Sequence, residues 1–286
     1  MQNKEKRFYK IGGLVIGYEG PRFEEKNNLQ IFRTNEDKAD IYYQIEMKHN
    51  ISLPDISCVN KGKYIHVYQN EEKRIQVHYH KDTVVIKDIC KENGNHIVEY
   101  EEEYLDRFSD NLLMKIWDFP HQILRYGGVF LHASYIMWDG KAILFTAPKQ
   151  TGKSTQAALW ERYKGAEIVN GDRALIRKTE NGFVVYGSPY SGTSGISKNI
   201  ASPLGAIVIL EQAKENVAKK AAVRESVMAL MDGCSFYVWD REEISKVTEI
   251  ANNLIMEIPF YKLSCLPDRG AVDVLEEVLC QERKEL

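Results

Sequence analysis

No stretch of this 286-residue chain approaches the roughly 18 consecutive apolar residues that a membrane span requires. A helical membrane protein is therefore not expected. The five cysteines (Cys58, Cys90, Cys234, Cys265 and Cys280) are scattered, odd in number and form no C-x-x-C pair, which argues against a secreted disulfide framework. The opening Met-Gln-Asn-Lys-Glu-Lys-Arg is not followed by a signal-peptide apolar core, so a cytoplasmic protein with reduced thiols is expected. Neither sign of charge is in large excess. The formal net charge of −3 gives no reason to expect nucleic acid or an anionic membrane as partner. Internal repeats and low-complexity tracts are also lacking.

What is there is an apolar content of 44% beside 28% charged residues, in a chain long for one domain and comfortable for two. Residues 1–104 read as a β-rich N-terminal domain, expected to recognise a substrate or partner. Short β-branched or aromatic runs at 39–47, 64–68, 74–80 and 83–89 are separated by turn residues. Arg74–His80 alternates polar and apolar residues, which predicts a sheet with one wet face. His78 and His80 share that face and read as solvated rather than metal-binding, since no third ligand accompanies them. Asn93-Gly94-Asn95 is a hairpin turn. The charged Glu101-Glu102-Glu103 marks the expected boundary between this domain and a second one over residues 105–286.

That second part begins with a helix that Ser109 or Asp110 can cap, with Leu112, Leu113, Ile116 and Trp117 at helical spacing. Pro120 should end or kink it, and Gly127-Gly128 should close the piece that follows. Val129–Trp138 reads as a strand. The Asp139-Gly140 turn after it predicts antiparallel pairing with the run Ala142–Phe145. This run enters Ala147-Pro-Lys-Gln-Thr-Gly-Lys-Ser-Thr155, and a helical pattern continues to Tyr163. In a strand, a Gly-Lys-Ser loop and a helix taken in that order, backbone N–H groups and the helix dipole cradle phosphates. Lys153 would reach the β/γ oxygens and Ser154 would ligate Mg²⁺. Ala147, Lys149, Gln150, Thr151, Gly152 and Thr155 complete the nucleotide-binding set. Ala147 stands where the pattern G-x-x-x-x-G-K-S/T wants glycine.

Further on, Asp172 lies about twenty residues after Lys153, at the end of the apolar strand 166–170. It reads either as a metal ligand or proton acceptor, or as a turn residue of Asn170-Gly171-Asp172. His132, in mid-strand, is either a hydrogen-bonded core residue or a group near the phosphates. The small-residue stretch Gly187–Gly195 is a substrate or phosphate loop, with Gly187, Ser188, Ser191 and Gly192 as its candidates, or a plain surface turn. A buried strand at 204–210, helices at 223–231 and 241–254, a strand at 258–263 and a terminal helix at 271–285 complete the reading. The fold class expected is α/β with a mixed (α+β) sheet, not a strictly alternating one.

On His132, the 147–155 loop, the Asp172-Arg173 pair and the Gly-Ser-Pro loop at 187, the chain from about residue 107 resembles the HPr kinase/phosphorylase catalytic domain and its phosphoenolpyruvate carboxykinase-like P-loop relatives. It is most similar to the small homologues, such as the lasso-peptide precursor kinases. The resemblance implies Mg²⁺-dependent transfer of the γ-phosphate from ATP, or another donor nucleotide, to a serine or similar hydroxyl of a peptide, protein or small molecule. It implies catalytic roles for Asp172, His132 and Lys153, metal ligation by Ser154 and Asp172, and oligomers in the HPr enzymes. Gly171 replaces the first aspartate of the family's Asp-Asp pair, and Gln150 replaces a further glycine. Val185-Tyr186 stand where an acidic metal ligand is expected. Asp172 is left to serve as base, metal ligand or both. The alternative is a nucleotide-binding module without transfer. Carboxykinase-type decarboxylation would need an arginine and metal-ligand cluster that the chain lacks.

Overall fold

The alternation of β-branched and polar residues in the first third of the chain becomes one eight-stranded sheet in the computed structural model, which describes residues 4–91 and 94–282. The chain divides into two units, Met1–Phe119 and Pro120–Leu286. Strands of the first unit are β1 (Lys4–Ile11), β2 (Leu14–Pro21), β3 (Ile41–Lys48), β4 (Cys58–Lys61), β5 (Ile65–Gln69), β6 (Arg74–His80), β7 (Thr83–Cys90) and β8 (His96–Glu101). They lie in the order β1-β2-β3-β8-β7-β6-β5-β4. Pairs β2–β3 and β3–β8 are parallel and the rest antiparallel, so the sheet is mixed. Ile41, Tyr43 and Ile45 of β3 point inward, as a period of two requires. Asn93 of the turn before β8 lies outside the described residues.

The helix Asp110–Trp117 is capped by Ser109, whose hydroxyl accepts from the Leu112 N–H at 3.3 Å. It ends at Asp118 in the left-handed conformation (φ 46°), two residues before Pro120. Trp117 packs edge-on against Tyr9, and its carbonyl accepts from the Tyr43 hydroxyl at 2.6 Å. The first unit therefore runs on past the Glu101–Glu103 stretch. The helix end also corrects the wet face expected for β6. Gln76 is buried and its amide donates to Asp118 at 2.7 Å. Burial lowers the His78 pKa to about 4, and only His80 is exposed. Among the described residues no group of His, Cys, Asp or Glu has the arrangement of a metal site.

A buried ion pair joins β7 to β8, with His96 Nδ1 2.9 Å from Asp88 Oδ1. Burial opposes the imidazolium, but the charge and hydrogen bond of Asp88 outweigh it, with help from Cys90, and raise the His96 pKa from 6.5 to about 10. A raised folded-state pKa stabilises the fold fully below pH about 6.5, and that contribution fades as pH rises through about 10. Asp88→Asn should cost about 3–5 kcal/mol in urea unfolding near neutral pH, because it leaves a buried cation unpaired. The difference from the unaltered protein should shrink above pH about 10.

In the second unit the strands are β9 (Gly128–Trp138), β10 (Lys141–Thr146), β11 (Glu167–Asn170), β12 (Arg173–Thr179), β13 (Gly182–Tyr186), β14 (Ala201–Gln212), β15 (Val217–Lys220) and β16 (Phe260–Cys265). The expected hairpin is present. Asp139 (φ 49°) and Gly140 (φ 72°) turn β9 into β10, and Lys141 pairs with Trp138. β10 then runs parallel to β14, and β14 parallel to β16. Pairing closes on itself through β9, β10, β14, β13 and β12, because β9 and β14 each hold partners along different parts of their length.

Helices cover both faces of the parallel strands. Ile143, Phe145, Ala206 and Val208 face the helices Lys153–Lys164 and Arg269–Glu282, which supply Ala157, Trp160, Val272 and Leu275. Leu144 and Ile207, one residue away, face the opposite cluster with Leu230, Val247 and Leu254 from the helices Val223–Gly233 and Arg241–Glu257. Strands buried on both sides read as continuous apolar runs, as Ala142–Phe145 and Leu204–Leu210 do. The fold is mixed α/β. No described helix is long and apolar enough to cross a membrane.

Candidate functional site

The loop Ala147–Gly152 joins β10 to the helix Lys153–Lys164, as the strand–loop–helix pattern predicts. Gly152 is the N-cap at φ 117°, a conformation that side chains rarely adopt. It offers no side-chain cap, so the first-turn N–H groups of the helix are not consumed by one. Ser154 and Thr155 are exposed on that turn, and Lys149 is exposed on the loop. Gln150 is also left-handed (φ 64°), and its carbonyl accepts from Gln212 Nε2 at 3.3 Å. Thr151 donates its hydroxyl to the Pro148 carbonyl at 3.0 Å.

Lys153 is the buried member of the loop, at 8% exposure. Its ammonium donates to the carbonyls of Ala147 at 2.9 Å and Pro148 at 3.1 Å. Burial lowers its pKa, Asp172 opposes the shift, and Lys149 adds to it.

His132 arrives from β9, and Asp172 from the turn between β11 and β12. Ala133 pairs with Thr146 on one side and donates its N–H to the Asp172 carbonyl at 3.0 Å on the other. In the next row His132 pairs with Arg173. His132 Nδ1 lies 3.4 Å from Asp172 Oδ1, and both side chains are part-exposed. Burial and then the Lys153 charge lower the His132 pKa below its ordinary value. Asp172 pulls it upward, while Arg173 and Lys149 reinforce the lowering. Lys149, Lys153, Asp172 and Arg173 thus all lie close enough to act on His132. Arg173 places Nε 3.8 Å from Asp172 and donates through Nη1 to the Ser235 hydroxyl at 2.8 Å.

The Gly187–Gly195 stretch lies against this group. Gly192 (φ 57°) has its backbone on Asp172, so that a Cβ there would meet the carboxyl carbon at 2.5 Å. Gly187 passes so near the Lys198 carbonyl that a Cβ would lie 1.8 Å from it. Ser188 is fully buried and donates to the Arg173 carbonyl at 3.1 Å, and Ser191 is buried as well. Both serines are therefore enclosed by the protein and not presented at the surface. Gly171 also has a packing reason, since a Cβ there would come within 2.1 Å of Ser194 Oγ. The loop occupies the space that a side chain at 171 would need.

Two residues of the site were missed in the sequence. Arg173 had its pairing with Asp172 noted but no role of its own. Asn170 passed as a turn residue, yet it is fully buried. An asparagine that closes an apolar strand was the available signal, because a buried amide must find partners.

A family model described as "SynChlorMet cassette protein ScmC" matches residues 106–278. The chain belongs to the ScmC family. No curated protein matches it. Among solved structures, the Hpr(Ser) kinase/phosphatase from Coxiella burnetii aligns over 54% of this chain and 90% of its own, at 14% identity and a TM-score of 0.32. A likeness of that degree says nothing about activity. The matched span covers β9, the loop Ala147–Gly152 and the Asp172 turn.

The electrostatics of this group can be read directly by NMR titration of His132. Lys153→Met should raise its midpoint, because a lowering charge is removed. Asp172→Asn should lower it, because the one raising charge is removed. A midpoint unmoved by either substitution would contradict the arrangement.

Proposed function

We propose that the second unit is a nucleotide-dependent phosphotransferase that moves a γ-phosphate from ATP, or a related donor, to a serine-type hydroxyl of a peptide, protein or small molecule. The observation that carries this reading is the charge group around His132. Three cations, Lys149, Lys153 and Arg173, act there with one carboxylate, Asp172, beside a helix N-terminus. Such an excess of positive charge at open N–H groups suits a polyphosphate.

Each residue then has a task. The loop N–H groups and Lys153 hold the β/γ oxygens, with Lys153 exchanging the Ala147 and Pro148 carbonyls for phosphate oxygen. Asp172 accepts or orients the acceptor proton, and His132, whose pKa burial and Lys153 lower, supports it at 3.4 Å. Ser154, exposed on the first helical turn, and the part-exposed Asp172 are oxygen donors of the kind Mg²⁺ takes. When bound, Mg²⁺ neutralises charge between the phosphates. The enclosed Ser188 and Ser191 act in shaping the site, while Gly187 and Gly192 let its backbone approach. The first unit would recognise the substrate or a partner.

A binding module without transfer is the second reading, favoured by Gly171 and by the loop that fills the space beside it. Single-turnover assays with labelled ATP and hydroxyl-bearing peptides separate the two. Transfer or slow hydrolysis should fall about 10²–10⁴-fold in Asp172→Ala, the usual weight of a positioned acid or base, and comparably in Lys153→Ala. Activity that survives both substitutions would sink the assignment. Mg²⁺-dependent binding with no turnover would establish the second reading instead.

A further inference from the structure

We propose that Asn170 is the positioning residue that fixes Asp172 and the Gly187–Gly195 loop in one geometry with a single buried amide. This rests on the phosphotransferase reading, in which Asp172 meets the acceptor. The Asn170 side chain, at the end of β11, is fully enclosed. Its Oδ1 accepts from the N–H groups of Asp172 at 3.0 Å and Arg173 at 2.8 Å. Its Nδ2 donates to the carbonyls of Ser188 at 3.0 Å and Tyr190 at 3.3 Å. A side-chain amide has one acceptor oxygen with two lone pairs and two N–H donors, and each finds a partner here.

The two halves of that amide grip two different segments. One is the turn that carries the carboxylate, and the other is the start of the loop whose Gly192 lies against the same carboxylate. Neighbouring bonds run the same way. Ser188 donates to the Arg173 carbonyl, Ser197 donates to the Ser188 carbonyl at 2.7 Å, and the Lys198 N–H donates to the Val169 carbonyl at 3.0 Å. No other amino-acid side chain of this size carries both an acceptor oxygen and two N–H donors. Aspartate lacks the donors, and serine is too short to reach both sides.

A shift of about 1 Å in a reacting group is enough to cost on the order of 100-fold in rate, so the amide would act on kcat rather than on nucleotide affinity. In the full chain, Asn170→Ser should leave Mg²⁺–ATP affinity and nucleotide KM within about twofold while kcat falls about 100-fold. Hydrogen exchange without nucleotide gives a second readout that needs no activity. Exchange should accelerate in peptides covering 171–173 and 188–197 together, with 147–155 unchanged. The proposal is overturned if kcat stays at the wild-type level, if affinity and kcat fall in step, or if exchange rises throughout the unit or in only one of the two segments. A wild-type protein that turns over no nucleotide sinks the phosphotransferase reading alone, and the exchange pattern still decides whether Asn170 clamps both segments.

Discussion

Strand β9 changes partner along its length, and that change places every candidate group of the second unit. Its later half pairs with β10 on one edge and β11 on the other, while its first half pairs with β12. Thr146 and Ala133 therefore fall in one row with Asp172 of the turn between β11 and β12, and His132 and Arg173 in the next. The Ala147–Gly152 loop begins one residue after Thr146. Slipping this register by one residue would exchange the faces of β9 and send His132 to the opposite side of the sheet. The apolar residues on both faces of the neighbouring strands make such a slip costly. The core that stabilises the unit is thus also what aligns its chemistry.

Within that frame, the loop arranges its charge before any ligand arrives. Enclosing the Lys153 ammonium requires acceptors, and the Ala147 and Pro148 carbonyls provide them. Burial and Lys149 press against its charge, and Asp172 compensates. On the proposed reading, a phosphate would take over the carbonyls' part and add negative charge to a group in which three cations face one carboxylate. The loop from Gly187 onward then sets the other wall, pressed on Asp172 through Gly192 and tied beneath by Asn170. The site is in this sense two backbone loops held around one carboxylate.

Much of this was legible because it is local. Asp139-Gly140 specifies a hairpin, the hairpin brings His132 near the loop, and Gly152-Lys153-Ser154 before a helical pattern specifies the loop itself. What stayed hidden depends on partners distant in sequence. The parallel pairing of β10 with β14 leaves no local signature. Ser188 and Ser191 look like surface loop hydroxyls until the Arg173 carbonyl and the enclosing segments are known. His78 looks solvated until the end of the Asp110–Trp117 helix lies over its strand. Asn170 reads as a turn residue by composition, and only its bonds to Asp172, Arg173, Ser188 and Tyr190 reveal its place. Polar residues inside a fold are named by their partners, and spacing alone does not supply those.

The central claim is that Lys153 and the loop around it form a phosphate site. Calorimetric titration of Mg²⁺–ATP into the unaltered chain and into Lys153→Ala tests it most directly. The account predicts Mg²⁺-dependent binding to the first and affinity weaker by at least about tenfold in the second, the weight of one charge-assisted hydrogen bond. Equal affinity in both, or no binding by the unaltered chain, would contradict it.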